Sequence, residues 1–221
     1  MSSRVKELET SSTVSHAPSR GTLFVVSSPS GGGKGTIIRH VLEVVGNLRY
    51  SVSYTTRAPR TGEANGREYF FVNRDTFDEM VAAGEFLEWA CVHGNFYGTA
   101  KNQIIEDTAA GADIILEVDV QGAASVRRLL MDSVSIFILP PSFAVLRHRL
   151  CARGTDTPES LEVRLRNAPE ELRQYSSFDY VIINDEIDRA VGQLASIIYA
   201  ERARCVRQER VVEQVIKEFR S

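Results

Sequence analysis

The sequence predicts an α/β protein in which a central parallel sheet carries a phosphate-binding loop. The β-branched and aromatic run "TLFVV" predicts a buried strand, and "TIIRHVLEVV" shortly after it has helical spacing of its apolar residues. A glycine-rich stretch joins the two. Farther along, predicted strands alternate with predicted helices, which is typical of a parallel sheet covered by helices.

The glycine-rich stretch "VVSSPSGGGKGT", residues 25–36, is close to the pattern G-x-x-x-x-G-K-[S/T]. Two of its usual letters differ, because Ser28 stands at the first glycine and Gly35 stands where a hydroxyl residue follows the lysine. Glycines let successive backbone N–H groups point at a phosphate, and the lysine reaches the terminal phosphates. We therefore predict a phosphate-binding loop at Ser28, Pro29, Ser30, Gly31, Gly32, Gly33, Lys34, Gly35 and Thr36.

The segment after the first helix does not fit a simple crossover. The run "LRYSVSYTTRAPRTGEANGREYFFV" predicts a strand, a turn region and another strand. The run "RDTFDEMVAAGEFLEWA" predicts a short helix, capped near Asp75 or Thr76, and then a strand. Residues 54–99 are thus predicted to form an insertion that closes over a second ligand.

Two carboxylates mark the end of the next predicted strand, residues 114–120. Glu117 and Asp119 are two residues apart and are expected to point to one face. In phosphate-loop proteins a carboxylate at this position faces Mg²⁺ and its waters. The run from Asp119 to Gly122 also reads D-x-x-G, as in a GTPase switch, although no N-K-x-D guanine motif follows.

Arginines cluster around a predicted lid at about residues 149–167. Arg149 and Arg153 are one helical turn apart, and Arg164 lies just beyond the loop "GTDT". The helix after this loop is predicted to begin at Pro158 with Thr157 as its cap. Two more strands, "VSIFILPP" and "FDYVIIN", precede a final amphipathic helix or helix pair.

Arginine is also the main cation of the inserted segment. Only four of the 26 basic residues are lysines, and Arg57 and Arg60 stand in the turn-rich run with little else to pair with. The planar guanidinium group binds phosphate through two parallel hydrogen bonds. The insertion is therefore predicted to bind a phosphorylated ligand.

Composition limits the protein class. With 221 residues, of which 43% are hydrophobic and 25% charged, the chain predicts one globular domain. A net charge of −3 argues against a nucleic-acid partner. Three widely spaced cysteines suit a reducing, cytoplasmic location, and no apolar run approaches the roughly 18 residues that a membrane span needs.

The polar residues 1–20 are predicted to be a disordered tail, and we expect a monomer or a small homo-oligomer.

Four runs then resemble one family. The runs "SVSYTTRAPRTGEANGREYFFV", "GEFLEWACVHGNFYGT", "ILEVDVQG" and "RLCARGTDTPES" are similar, in order, to those of guanylate kinases. The similarity extends from about residue 22 to residue 185. It implies a three-layer P-loop kinase fold over residues 21–221, with a core of 21–53 and 100–221. It also implies transfer of the γ-phosphate of ATP to GMP, and to dGMP, with Mg²⁺ as cofactor and a role in purine metabolism.

The resemblance implies roles for individual residues. GMP would be bound by Ser53, Arg57, Arg60, Tyr69, Glu88, Tyr97, Thr99 and Asp119. ATP would be bound by the phosphate loop and, at its adenine, by Asn184, while Lys34, Arg149, Arg153 and Arg164 would carry the positive charge of catalysis. Mg²⁺ would be held by ATP oxygens and by waters near Asp119, with no direct protein ligand, and Thr36 would contact the α-phosphate. The resemblance leaves the role of Glu117 unassigned.

Two alternatives differ in testable features. A guanylate-kinase-like binding module would recognise phosphorylated protein segments and typically lacks a working ATP loop, whereas Gly31 to Lys34 are intact here. Other nucleoside monophosphate kinases are the nearest enzymes, and Glu88 together with the "TTRAPR" run argues against them.

Overall fold

The computed structural model describes residues 20–92, 94–152 and 158–220, which form two sheets and eight α-helices. The first half contains, in chain order, β1 (Leu23–Ser27), α1 (Lys34–Val44), β2 (Leu48–Tyr50), β3 (Tyr54–Thr55), β4 (Phe70–Phe71), α2 (Arg74–Ala82), β5 (Phe86–Val92), β6 (Asn95–Ala100) and α3 (Lys101–Ala109). The second half contains β7 (Asp113–Glu117), α4 (Val120–Leu129), β8 (Val134–Leu139), α5 (Phe143–Ala152), α6 (Pro158–Arg173), β9 (Tyr180–Ile183), α7 (Ile187–Arg202) and α8 (Cys205–Glu218).

The larger sheet is parallel throughout, and its strand order is β2-β7-β1-β8-β9. Side chains alternate across β1, so Phe24 and Val26 pack with α1 and α7 on one face, while Leu23 and Val25 pack with α3 and α4 on the other. Helices therefore cover both faces. This confirms the predicted three-layer α/β fold with a central parallel sheet.

The smaller sheet has the order β4-β3-β6-β5 and comes from the segment predicted to be an insertion. Its apolar contacts are aromatic: Phe77 of α2 is fully buried, with its ring centroid 4.7 Å from that of Phe86 and 5.7 Å from that of Phe96. Helix α2 is capped by Asn73, whose side chain accepts a hydrogen bond from the Thr76 backbone N–H at 2.8 Å. The cap thus lies two residues before Asp75, and both Asp75 and Thr76 are in the first turn, near the cap as predicted.

The strand that was predicted to run to residue 120 ends earlier. Strand β7 ends at Glu117, and Asp119 is the N-cap of α4, where its Oδ1 accepts a hydrogen bond from the Gly122 N–H at 2.7 Å. The prediction that Glu117 and Asp119 share one face of a strand was therefore wrong, because Asp119 lies beyond the strand. Apolar residues continue to alternate up to Val120, as they would in a strand. Asp119 nevertheless begins a helix, because aspartate is a favoured N-cap residue.

The predicted lid lies partly within the described residues. Helices α5 and α6 share a small core in which Leu146, Leu150 and Ala168 are buried, with Leu161 and Leu165 packed against them. Arg153, Thr157 and the rest of the loop between these helices lie outside the described residues, as do residues 1–19 of the predicted tail.

The chain after β9 was predicted to form either one long helix or a helix pair, and it forms the pair α7 and α8. Helix α7 buries Ala190, Leu194 and Ile198 against the sheet, whereas α8 contains no buried residue. Within the described ranges, no helix is both long and apolar enough to span a membrane.

Candidate nucleotide-binding site

A cleft of about 1040 Å³ lies between the carboxyl ends of the parallel strands, the smaller sheet and helix α6. Ligands of open α/β sheets bind at this edge. Fifteen of the residues predicted for the two nucleotides line the cleft together: Ser28, Ser30, Gly31, Gly32, Gly33, Lys34, Gly35, Ser53, Arg57, Arg60, Tyr69, Glu88, Tyr97, Asp119 and Arg164. Their roles stay predictions, but their convergence on one cleft is a structural fact.

The phosphate loop joins β1 to α1 and depends on two glycines with left-handed backbone. Gly31 has a φ of 86° and Gly33 a φ of 90°, values that other residues rarely adopt. Asn47 is the one non-glycine residue with positive φ in the described part of the chain, so Ser28 occupies the first glycine position without backbone strain. A Cβ on Gly35 would meet Glu117 Oε2 at an ordinary 3.6 Å. Steric crowding therefore does not explain why glycine replaces the usual serine or threonine after Lys34.

Behind the loop, Asn184 and Arg149 contact the Gly32 carbonyl. The Asn184 side-chain Nδ2 donates a hydrogen bond to this oxygen at 2.8 Å, and Arg149 Nη1 donates a longer one at 3.4 Å. A Cβ added to Gly33 would collide with the same Asn184 nitrogen. The loop is therefore packed against the end of β9 as well as against its own helix.

Lys34 begins α1 and faces the cleft. Its Nζ lies 3.6 Å from Oε1 of Glu117 at the end of β7. The Tyr50 hydroxyl lies 3.4 Å from the other carboxylate oxygen. Burial, followed by the charge of Glu117, raises the pKa of Tyr50 well above its usual range, so this phenol stays protonated and can donate to the carboxylate.

The far wall of the cleft holds a buried acid. Glu88 on β5 is only 8% exposed, and its Oε1 accepts a hydrogen bond from the Thr99 hydroxyl at 2.6 Å. The Ser53 hydroxyl lies 3.4 Å from that of Thr99. The pKa of Glu88 is raised to about 7, chiefly by burial and to a smaller extent by the negative charge of Asp119, while the hydrogen bond from Thr99 partly opposes the rise.

Arg57 of the inserted segment has a carboxylate partner. Its Nη2 lies 2.9 Å and 3.0 Å from the two oxygens of Glu63, and its guanidinium carbon lies 5.5 Å from the centre of the Tyr69 ring. The backbone N–H of Arg60 also donates to Glu63, at 2.7 Å. The expectation that these arginines have little to pair with was therefore wrong for Arg57, because a glutamate six residues away folds back in the turn.

The aromatic pair beside Arg57 closes this end of the cleft. The rings of Tyr69 and Tyr97 meet edge to face with centroids 5.8 Å apart. Burial, followed by the charge of Glu117, raises the pKa of Tyr69 above its usual range. Its phenol is thus a permanent hydrogen-bond donor at neutral pH.

Helix α6 lines the cleft with a polar face, of which the sequence predicted only Arg164 as a site residue. Arg164 Nη1 donates to the Ser30 hydroxyl at 2.9 Å, and the Ser30 backbone N–H donates to Glu171 at 3.2 Å. Other polar lining residues of this region are Arg166, Asn167, Glu170 and Gln174. The sequence contains a pattern that could have indicated this face, because Asn167, Glu171 and Gln174 recur at helical spacing beside the apolar positions Leu161, Leu165 and Ala168.

The other six residues predicted for the site are not among the described residues that line the cleft. Pro29 is buried within the loop, Thr36 is exposed on α1, and Thr99 lies beneath Glu88. Arg149 and Asn184 lie behind the loop, as described above. Arg153 lies outside the described residues.

The parallel sheet, the glycine loop that ends in Lys34, and the cleft between two sheets define the class of P-loop nucleotide kinases. A family model described as guanylate kinase matches residues 20–201. The chain belongs to the guanylate kinase family.

Individual relatives agree with this assignment. A guanylate kinase of Symbiobacterium thermophilum is 50% identical over 188 residues, which covers 85% of this chain and 89% of the relative. One from Dechloromonas aromatica is 52% identical, covering 81% and 89% of the two chains. The crystal structure of guanylate kinase from Anaplasma phagocytophilum has a TM-score of 0.74 at 34% identity, covering 89% of this chain and 95% of that one.

Proposed function

We propose that this enzyme transfers the γ-phosphate of ATP to GMP, giving ADP and GDP. The observation that carries the proposal is the position of Glu88, a buried carboxylate in the same cleft as a phosphate loop. One end of the cleft thus suits a triphosphate and the other suits a purine base.

Base selection follows from hydrogen-bond chemistry at Glu88. Guanine presents an N1–H and an N2–H₂ donor along one edge, and an ionised carboxylate accepts from both. Adenine presents an acceptor at N1, so it would leave the carboxylate unpaired. A site built on such hydrogen bonds rejects the wrong base by about 10⁴-fold or more. Thr99 holds the carboxylate in place, and the Ser53 hydroxyl lies beside that of Thr99.

Arginine and tyrosine side chains would bind the GMP phosphate. Arg57 is held by Glu63 and lies beside Tyr69, so its side chain is ordered before ligand arrives. Arg60 and Tyr97 line the same part of the cleft. Ordering in advance lowers the entropic cost of binding.

The reaction forms one bond and breaks one. An oxygen of the GMP phosphate attacks the γ-phosphorus while the bond from that phosphorus to the bridging β,γ-oxygen breaks, and no covalent enzyme intermediate is needed. Catalysis then depends on alignment and on positive charge. Lys34, Arg149, Arg153 and Arg164 are the proposed sources of that charge.

Magnesium is the proposed cofactor, and the donor set of the cleft fits it. The described residues contain no group of three or more histidine, cysteine, aspartate or glutamate side chains that could enclose a metal. Two carboxylates, Glu117 and Asp119, line the cleft, and Glu117 lies 3.6 Å from Lys34 Nζ. Mg²⁺ keeps several waters and binds mainly to substrate phosphates, where it offsets negative charge. These two carboxylates would receive hydrogen bonds from its waters, and Thr36 would contact the α-phosphate.

The finer parts of the proposal concern substrate range, location and domain motion. We propose dGMP as a second acceptor, a cytoplasmic location, and a role in purine nucleotide metabolism, with no nucleic-acid or membrane partner. Residues 54–99 and 149–167 would close over the two nucleotides and exclude water, which would otherwise hydrolyse ATP.

A coupled assay tests the proposal. The purified protein is supplied with ATP and Mg²⁺ and with GMP, dGMP, AMP or UMP as acceptor, and ADP release is measured. We expect rapid turnover with GMP and dGMP and little with AMP or UMP. Equal turnover with AMP and GMP, or none with either, would contradict the proposal.

A further inference from the structure

The Gly32 carbonyl is fixed by groups that lie far from the loop in sequence. Asn184, 152 residues away, donates its side-chain N–H at 2.8 Å in a buried environment. Arg149, 117 residues away, donates to the same oxygen at 3.4 Å. The Gly32 oxygen therefore points away from the cleft, toward the end of β9.

The orientation of this carbonyl determines where a loop N–H points. The described residues contain no cis peptide bond, so the Gly32 C=O and the Gly33 N–H point in opposite directions across one planar peptide. When Asn184 holds the oxygen on the β9 side, the Gly33 N–H is directed to the cleft side. Gly33 lines the cleft, so this N–H belongs to the surface that receives phosphate.

Asn184 is itself held firmly. Its backbone N–H donates to the Leu139 carbonyl at 2.7 Å, and its own carbonyl accepts from Arg149 Nη2 at 3.0 Å. The residue is only 4% exposed, and its amide packs so closely on Gly33 that no Cβ fits there. One arginine thus contacts both the loop and the residue that supports it.

We propose that Asn184 is a positioning residue that sets the Gly32–Gly33 peptide for triphosphate binding, rather than acting only on the adenine. The inference rests on the proposed function, since it assumes that the loop receives the ATP phosphates. It adds that Asn184 acts through the backbone of the loop and therefore affects any triphosphate, whatever its base.

The test uses the isosteric substitution Asn184→Asp, which replaces the donor N–H₂ with an acceptor oxygen facing the Gly32 carbonyl. Binding of ATP and of inorganic tripolyphosphate, which has no base, is measured by calorimetry at pH 8. We expect both affinities to fall together by about tenfold or more, because an oxygen facing an oxygen disfavours this peptide orientation. GMP affinity should change little. The matched control is Asn102→Asp on the exposed side of α3, which should leave all three affinities unchanged.

Two results would overturn the proposal. One is unchanged tripolyphosphate affinity in a variant that has lost ATP affinity, since this would assign Asn184 to the adenine alone. The other is unchanged affinity for both ligands. If Asn184→Asp fails to fold, Asn184→Ala is measured in the same way, and parallel losses for ATP and tripolyphosphate are again required. Wild-type turnover of ATP with GMP tests the proposed function separately.

Discussion

The Thr99 hydroxyl donates a 2.6 Å hydrogen bond to the Glu88 carboxylate inside the smaller sheet. Thr99 is fully buried on β6, and Glu88 lies opposite it on the antiparallel strand β5. The acid is therefore oriented by a neighbour that never contacts solvent, and one of its oxygens is positioned before any base binds.

Replacing Glu88 by glutamine tests base recognition directly. Glu88→Gln keeps the shape but presents an N–H₂ donor where guanine also presents donors. We expect GMP affinity to fall by about 2–4 kcal/mol, or roughly 30- to 1000-fold, measured by titration calorimetry. Glu85→Gln, an exposed residue just before β5, is the matched control and should bind GMP normally. Equal GMP affinities in the two variants would remove Glu88 from the site.

The raised pKa of Glu88 predicts pH-dependent binding of GMP. Burial, and then the charge of Asp119, raises this pKa to about 7, so the acid is mostly protonated below pH 7 and mostly ionised above it. Only the ionised form accepts both guanine N–H groups. GMP affinity should therefore fall by about tenfold for each pH unit below 7 and level off above it.

Calorimetry between pH 5.5 and 8.5 measures this dependence. The Glu88→Gln variant is the control, because it retains the titration of the GMP phosphate itself and lacks only that of the acid. Asp119→Asn should move the midpoint to lower pH, since it removes a charge that raises the pKa. A wild-type profile identical to that of Glu88→Gln would refute the assignment.

Arg57 is expected to act on the phosphate of GMP and not on its base. Arg57→Ala should weaken GMP binding by about 2–3 kcal/mol, the usual value of a charge-assisted hydrogen bond, while binding of guanosine is unchanged. Arg67→Ala provides a matched control in the same turn region, where Arg67 pairs with Glu68 at the surface. Competition binding with both ligands is the measurement. A parallel loss of guanosine affinity would show that Arg57 acts through the fold instead.

Gly33 should tolerate no side chain. Gly33→Ala forces a left-handed conformation on alanine, at about 1–2 kcal/mol, and places its Cβ on the Asn184 amide. We expect ATP affinity to fall by at least about tenfold. Gly46→Ala is the control, because nothing lies within 4 Å of its added Cβ and its φ is not positive. Calorimetric ATP binding that is equal in the two variants would contradict the described loop geometry.

Arg149 is predicted to affect turnover more than GMP binding. Arg149→Ala should lower kcat by about 10²-fold or more, while the KM for GMP changes by less than about threefold. The KM for ATP should rise as well, because Gly32 and Asn184 each lose a hydrogen-bond donor. Steady-state kinetics with each substrate varied separates these effects. Unchanged turnover would exclude Arg149 from catalysis.

The fold was predictable where local sequence and tertiary packing agree. The strand at Leu23–Ser27, the glycine loop and the helix from Lys34 all follow from apolar spacing and glycine placement. Asp119 was misplaced because apolar alternation continued past the true end of β7 and hid a helix cap. The small sheet could not be ordered from sequence, since two of its four strands are only two residues long.

The candidate site was predictable in its residue types but not in its internal contacts. The resemblance supplied Glu88 and Arg57, whereas the pairing of Arg57 with Glu63 depends on how a turn folds back. The support of Gly32 by Asn184 joins residues that are distant in the chain, and no local pattern encodes such a contact. The polar residues on the cleft side of α6 recur with helical spacing in the sequence, but apart from Arg164 none was predicted to belong to the site.

The aromatic cluster of the smaller sheet has a mechanical consequence. Phe86 and Phe96 both pack on Phe77, and the guanidinium of Arg74 lies 3.8 Å above the Phe96 ring, so this layer has an interior of its own. Strand β5 also joins this layer to the rest of the protein, because its Leu87 packs against the core that α3 and α4 form on the larger sheet. One strand thus contributes side chains to two separate cores, so a destabilising substitution in either core is transmitted to the other through β5.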